Sequence, residues 1–128
     1  MIIDTSAILS ILLKELEHER VVDLLVKDSR PAVSSATLTE AGIVLSARLK
    51  EDARGLLARF IREAGIEVIP FGESHYSAAV DAWLRFGKGR HPAALNFGDC
   101  MSFATASLAG EPLLCVGDDF PKTDLVLA

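Results

Sequence analysis

The chain has 128 residues, half of them hydrophobic, and its 13 basic and 18 acidic side chains give a net charge of −5. This length suits one domain with its own hydrophobic core, so we expect a single domain over residues 1–128 without disulfides or a structural metal. The acidic balance argues against a nonspecific nucleic-acid binder, which would normally be basic. It does not argue against an enzyme that gathers acidic side chains at one site.

The apolar stretches and the cysteines predict the cellular location of the protein. No basic segment precedes the apolar residues 1–3, so no signal peptide is expected. Stretches such as residues 8–13 are too short to span a bilayer. Cys100 and Cys115 lack any metal-binding spacing and are expected to be buried, reduced thiols. We therefore expect a soluble cytoplasmic protein.

Hydrophobic periodicity divides the chain into alternating strands and helices. In chain order the predicted elements are a strand at residues 1–3, a helix ending near 13, a helix over 17–26, a strand at 32–34, helices over 37–49 and 52–64, a strand at 67–69, helices over 74–86 and 98–108, a strand at 113–116 and a final edge strand at 125–127. Strands alternating with helices favour parallel pairing. The predicted fold class is α/β, with a mostly parallel sheet covered by helices.

Four acidic residues fall where the carboxyl ends of such strands meet helix N-termini. Asp4 and Asp118 directly follow predicted strands. Glu40 and Asp99 lie near the starts of predicted helices. Open α/β sheets bind ligands at this edge, so we expect the four carboxylates to lie on one rim.

Each of these acids also has an ordinary structural explanation. Asp4 and Asp99 are good helix N-caps, each worth about 1 kcal/mol. Residues 37–40 fit a capping box in which Glu40 would reach back to the first turn of its helix. Asp118 and Asp119 are common turn residues. Together, however, carboxylates on one rim repel each other, and a divalent cation would relieve that repulsion.

The predicted ligand set consists of oxygen atoms only. Hard oxygen ligands favour Mg²⁺ or Mn²⁺ over zinc. Such an ion can orient a phosphodiester and activate a water molecule, and helix N-termini on the same rim favour a phosphate. The pattern therefore indicates phosphodiester hydrolysis.

Four segments in this order resemble the PIN-domain ribonucleases and, within them, the VapC toxins of type II toxin–antitoxin modules. They are MIIDTSA at residues 1–7, Thr39-Glu40, LNFGDC at residues 95–100 and LLCVGDDF at residues 113–120. The similarity spans essentially the whole chain. It implies a PIN-like α/β/α sandwich with four or five short strands. It also implies an endoribonuclease that uses Mg²⁺ or Mn²⁺ to cut RNA, often in loops of tRNA or ribosomal RNA.

The resemblance also implies partners and residue roles. The family generally forms homodimers and is silenced by a small VapB-type antitoxin that lies across the active site. Asp4, Glu40 and Asp99 match its core acids, predicted to be both catalytic and metal-binding. Further residues are predicted to position these ligands: Thr5, Ser6, Asn96 and Asp119.

The fourth acid is the least defined, because Gly117 falls where many family members have an aspartate before the phenylalanine. We favour Asp118, which is nearer the strand, over Asp119. The number of bound metal ions stays open with it.

A basic loop and two rival functions complete the sequence-based expectations. Arg85, Lys88, Arg90 and His91 are predicted to bind RNA, although a solvated loop explains them equally well. An aspartyl phosphotransferase would need a second aspartate two residues after Asp4, where Ser6 stands. The stronger rival is a noncatalytic PIN-like module that binds RNA or protein.

Overall fold

The computed structural model describes all 128 residues and contains one four-stranded parallel sheet in the order β3-β2-β1-β4. The strands are β1 (Ile2–Ile3), β2 (Ala32–Ser34), β3 (Glu67–Ile69) and β4 (Leu113–Leu114). The helices are α1 (Thr5–Leu12), α2 (His18–Lys27), α3 (Ser35–Leu49), α4 (Arg54–Glu63), α5 (Glu73–Phe86) and α6 (Phe97–Ala109). A short 3-10 helix covers Phe120–Lys122. The predicted α/β class with a parallel sheet is confirmed.

The helices cover both faces of the sheet, as the alternation of strand side chains requires. Ile3 packs with α1 to α4 in one core cluster, whereas Ile2 packs with α5 and α6 in the other. Leu114 and Leu113 divide in the same way. Strands β1 and β4 are therefore apolar at every position. The result is the α/β/α sandwich that the resemblance implied.

The end of the sheet differs from the prediction. Strand β4 stops at Leu114, because the next backbone groups bind side chains instead of a neighbouring strand. The Val116 amide donates to Ser6 Oγ at 2.9 Å, and the Cys115 carbonyl accepts from Arg20 at 3.1 Å. Residues 125–127 form no strand. They make a single parallel bridge, between Leu113 and Leu127.

The predicted capping box at residues 37–40 is wrong. Ser34, the last residue of β2, caps α3 by accepting from the Ala36 amide at 3.1 Å. The helix therefore begins at Ser35, before Thr37, because an equally good cap residue is available at the strand end. Glu40 consequently lies in the second turn of α3, and its carboxylate is not used for capping.

The expectation that both cysteines are buried, reduced thiols is confirmed. Cys100 and Cys115 are buried free thiols, and burial raises their pKa values to about 11 and about 12. Gly65 lies just after the C-terminal end of α4. It has a left-handed φ of 65°, a conformation that glycine adopts without strain. No helix in the chain combines the length and apolarity that a membrane span needs.

Candidate active site

The carboxyl edge of the sheet brings Asp4, Glu40 and Asp99 into one cluster. Asp4 directly follows β1 and caps α1, Glu40 projects from α3, and Asp99 lies in the first turn of α6. The negative charges of Asp4 and Glu40 both act on Asp99. Three separate segments of the chain thus contribute one acid each to the same rim.

Asp4 is buried, with only 3% of its surface exposed. Its Oδ2 accepts from the Ser6 amide at 3.0 Å and from Ser6 Oγ at 2.6 Å. Its Oδ1 accepts from Ser102 Oγ at 2.6 Å. A carboxylate offers about four acceptor positions, so these three bonds leave roughly one for a ligand.

Glu40 is held between α1 and α6. Thr5 Oγ1 donates to Glu40 Oε1, which fixes one carboxylate oxygen beside Asp4. The carboxylate also lies directly against Gly98, and a side chain at residue 98 would overlap it at the Cβ atom. Glu40 can occupy this position only because residue 98 has no side chain.

Asp99 combines a structural and an electrostatic role. Its carboxylate accepts from the Asn96 amide at 3.1 Å, while Asn96 Oδ1 accepts from the Asp99 amide at 2.9 Å. This reciprocal pair is a capping box at the start of α6. Burial, together with the negative charges of Asp4, Asp119 and Glu40, nevertheless raises the Asp99 pKa from 3.8 to about 6. Burial and neighbouring charges therefore both disfavour the ionised form of this carboxyl.

The two candidates for the fourth acid are not equivalent. Both Asp118 and Asp119 are exposed in the turn after β4. Only Asp119 is among the groups whose charge raises the Asp99 pKa. The electrostatics therefore favour Asp119, which the sequence pattern ranked second.

The cluster suits a hard divalent cation in its chemistry and charge, although its oxygens are not gathered into a complete shell. All donors are carboxylate or hydroxyl oxygens, the preference of Mg²⁺ and Mn²⁺. Burial and the charges of Asp4, Asp119 and Glu40 disfavour the ionised form of Asp99, which a bound cation would favour. No three acidic, histidine or cysteine side chains lie close enough to form a ready coordination site. Occupation would therefore need a side-chain adjustment, for which Asp99 at the rim is best placed.

Most of the predicted RNA-binding residues already have partners within the chain. Arg85 pairs with Asp124 and, at 3.7 Å, with Asp81. The Arg90 guanidinium lies over the Trp83 ring at 5.0 Å. His91 packs edge-on against Phe86 and accepts from the Ala93 amide at 3.0 Å. Lys88 is exposed and forms no ion pair.

Three residues at the site were not singled out from the sequence: Thr37, Gly98 and Ser102. Ser102 on α6 and Thr37 on α3 are buried polar residues. A hydroxyl on the buried face of α6, one turn after Asp99, was the available signal. Gly98 precedes Asp99 directly, but only the packing of α3 on α6 shows why it must lack a side chain.

Comparison with known proteins identifies the fold. A model of the PIN domain matches residues 1–125. The chain belongs to the PIN-domain family. Ribonuclease VapC36 of Mycobacterium tuberculosis is 47% identical over 126 residues, which are 98% of this chain and 91% of that protein. The chain is thus a PIN domain of the VapC type.

Solved structures agree with this PIN fold. VapC20 of Mycobacterium tuberculosis, described as a sarcin-ricin loop cleaving toxin, has a TM-score of 0.79 at 20% identity, covering 99% of this chain and 97% of that one. A toxin–antitoxin complex from Klebsiella pneumoniae has a TM-score of 0.71 at 17% identity, covering 99% and 95%. At this level of identity the likeness concerns the fold alone.

Proposed function

We propose that this PIN domain is a metal-dependent endoribonuclease that hydrolyses RNA phosphodiester bonds and acts as the toxin of a type II toxin–antitoxin module. The full-length similarity to a protein named as a VapC ribonuclease supports the activity. The arrangement of the acidic cluster supports the mechanism.

The observation that carries the proposal is that Asp4, Glu40 and Asp99, from separate segments of the chain, lie on one rim of the sheet. Burial, with a further contribution from the charges of Asp4, Asp119 and Glu40, raises the Asp99 pKa to about 6. A fold gains nothing from such crowding, because neighbouring negative charges destabilise each other. Crowded carboxylates at the ligand-binding edge of a sheet are expected where a cation is to be held.

In this proposal Asp4, Glu40 and Asp99 hold Mg²⁺ or Mn²⁺, with Asp119, or alternatively Asp118, as the fourth acid. When bound, the ion supplies charge for the transition state and lowers the pKa of a water molecule. Ser6 and Thr5 orient Asp4 and Glu40 through hydroxyl hydrogen bonds. Asn96 keeps Asp99 at the N-terminus of α6, where the helix dipole also favours a phosphate.

The substrate is proposed to be a single-stranded or looped RNA, with loops of tRNA or ribosomal RNA as the first candidates. Of the basic loop residues, Lys88 is the best candidate for a phosphate contact, because no acid neutralises it. Arg90, stacked on Trp83, presents a cation beside an aromatic face, an arrangement that suits an unpaired base. Arg85 and His91 contribute less, since their internal contacts would have to break.

The proposed protein partners are a VapB-type antitoxin and a second copy of the chain. An open groove of about 1050 Å³ between α3 and α4 has an apolar floor that includes Leu38, Leu57 and Ile61. A groove of this kind suits an amphipathic helix of an antitoxin. Tyr76, Val80, Trp83 and Phe97 are exposed on a separate apolar patch of α5 and α6. This patch is our candidate for the homodimer contact.

The decisive experiment is cleavage of total RNA by the purified protein with Mg²⁺ or Mn²⁺ and with EDTA. Asp4→Asn and Asp99→Asn serve as site variants. Asp23→Asn, an exposed aspartate on α2, is the matched control. Metal-dependent cleavage that both site variants lose and Asp23→Asn keeps is the expected result.

Equal activity in all variants would point to a contaminating nuclease and reject the site. If no variant cleaves RNA and the wild-type protein still binds RNA or an antitoxin, the noncatalytic binding module becomes the better description.

A further inference from the structure

The Asp4 carboxylate is the end point of a buried chain of hydroxyl groups. Ser102 on α6 is fully buried, and its Oγ donates to Asp4 Oδ1 at 2.6 Å. Thr37 on α3 is 2% exposed, and its Oγ1 lies 3.0 Å from Ser102 Oγ. These three residues come from different elements and meet beneath the rim of the site.

The direction of the hydrogen bonds follows from the number of protons. An ionised carboxylate can only accept, so the single proton of Ser102 is used by Asp4. Ser102 must then accept from Thr37, and Thr37 uses its own proton in doing so. The chain therefore runs from Thr37 to Ser102 to Asp4, and each donor has one acceptor.

The hydroxyl chain fixes the orientation of Asp4 from below. The two bonds from Ser6 hold Oδ2, but a carboxylate held at one oxygen can still rotate about its side-chain bonds. The bond from Ser102 holds the second oxygen and so defines which acceptor position stays open. Hydroxyls outside the ligand shell commonly tune metal sites through such bonds, with effects of about 10- to 100-fold on affinity or activity.

We propose that Ser102 and Thr37 are positioning residues that orient Asp4 as a metal ligand through this hydroxyl chain. The inference rests on the proposed function, because it assigns Asp4 a metal to hold. Neither residue belongs to the acidic cluster itself. Thr37 makes no hydrogen bond to any of its acids, so its effect on the site must pass through Ser102.

The test measures Mn²⁺ affinity by calorimetry, with RNA cleavage as a second readout. Ser102→Ala removes the donor to Asp4 and should weaken Mn²⁺ binding by about 10-fold or more. Thr37→Val removes only the outer hydroxyl at nearly constant shape and should weaken binding by a smaller factor, roughly 3- to 10-fold. Thr37→Ser restores the hydroxyl and should recover affinity to within about twofold of wild type.

Ser10→Ala is the matched control, because Ser10 is a buried hydroxyl that donates to the Leu16 carbonyl at 3.0 Å, away from the acids. It should lose stability like the other variants while keeping wild-type Mn²⁺ affinity. An affinity loss in Ser102→Ala and Thr37→Val that Thr37→Ser reverses would support the hydroxyl chain.

Two outcomes would overturn the proposal, and they can be told apart. If wild type binds Mn²⁺, Asp4→Asn loses it, and Ser102→Ala and Thr37→Val bind as wild type does, the positioning role is wrong and the proposed function stands. If wild type and Asp4→Asn bind Mn²⁺ equally, the site itself is wrong, and the role of the hydroxyls fails with it. Should Ser102→Ala fail to fold, the contrast between Thr37→Val and Thr37→Ser decides alone.

Discussion

Replacing Asp99 by asparagine should abolish RNA cleavage and at the same time stabilise the metal-free protein at neutral pH. The raised pKa, from 3.8 to about 6, means that ionised Asp99 costs the folded state free energy. Two pKa units correspond to at most about 3 kcal/mol. Partial solvent exposure reduces this to about 1–2 kcal/mol. Asparagine keeps the capping-box acceptor but loses about 0.5 kcal/mol of interaction with the helix dipole. We expect a net gain near 1 kcal/mol.

The pH dependence gives this prediction a sign that can be checked. Because the Asp99 pKa is higher in the folded state, that state holds a proton between about pH 4 and pH 6 that the unfolded chain has released. The wild type therefore loses stability relative to Asp99→Asn as the pH rises through this window. This gap in unfolding free energy between the two proteins should be fully developed at pH 8 and about half as large at pH 5.

Urea unfolding in EDTA at pH 5 and pH 8, followed by circular dichroism, measures the gap. Asp23→Asn should show no comparable gap, since its carboxylate is exposed. Excess Mn²⁺ at pH 8 should make the wild type more stable than Asp99→Asn, because binding stabilises the wild type and not the variant. An Asp99→Asn protein that is less stable than wild type at pH 8 in EDTA would refute the electrostatic reasoning.

Three further predictions follow from the site. Gly98→Ala should lower RNA cleavage by about 10-fold or more by displacing Glu40, yet leave the unfolding free energy unchanged or up to about 1 kcal/mol higher. Gly55→Ala is its control, because Gly55 is likewise the second residue of its helix and a Cβ there meets no atom; equal activity in both variants would contradict the prediction. Asp119→Asn should weaken Mn²⁺ binding in calorimetry more than Asp118→Asn does, and the opposite ranking would return the fourth position to Asp118. Cys100 and Cys115, with thiol pKa values of about 11 and about 12, should resist a disulfide reagent at pH 8 until urea unfolds the chain, so rapid labelling of the native protein would show that they are not buried in solution.

The sequence predicted the fold and the acidic rim because both depend on local patterns. Apolar runs such as Leu113–Leu114 identify buried parallel strands, and the parallel topology then sends every strand end and helix start to one edge. The start of α3 was missed because two serine or threonine caps compete there. Ser34 at the strand end takes precedence over Thr37. Local propensity cannot choose between two such candidate N-caps, because the choice depends on where the preceding strand ends.

The parts that could not be predicted depend on contacts between distant segments. Ser102 is 98 residues from Asp4 and looks like any small residue on a buried helix face. The choice between Asp118 and Asp119 depends on the path of a turn, which spacing from the strand does not define. Gly98 matters only because α3 brings Glu40 against it. In each case the deciding neighbour lies on another element.

The acids that we propose to act in catalysis also cap helices, and this determines which variants are informative. Asp4 caps α1 and Asp99 completes the capping box of α6, so the structural interpretation of each acid is confirmed and is compatible with the proposed catalytic role. An alanine would remove the cap and the charge together and would confound folding with activity. Asparagine is nearly as good an N-cap as aspartate, so at Asp99 it removes the charge and keeps the cap. At Asp4 it also replaces one of two accepting oxygens with an amide group, which cannot accept a hydrogen bond. Loss of activity in a stably folded Asp99→Asn protein would therefore indicate a carboxylate that acts in the reaction and not merely at a helix end.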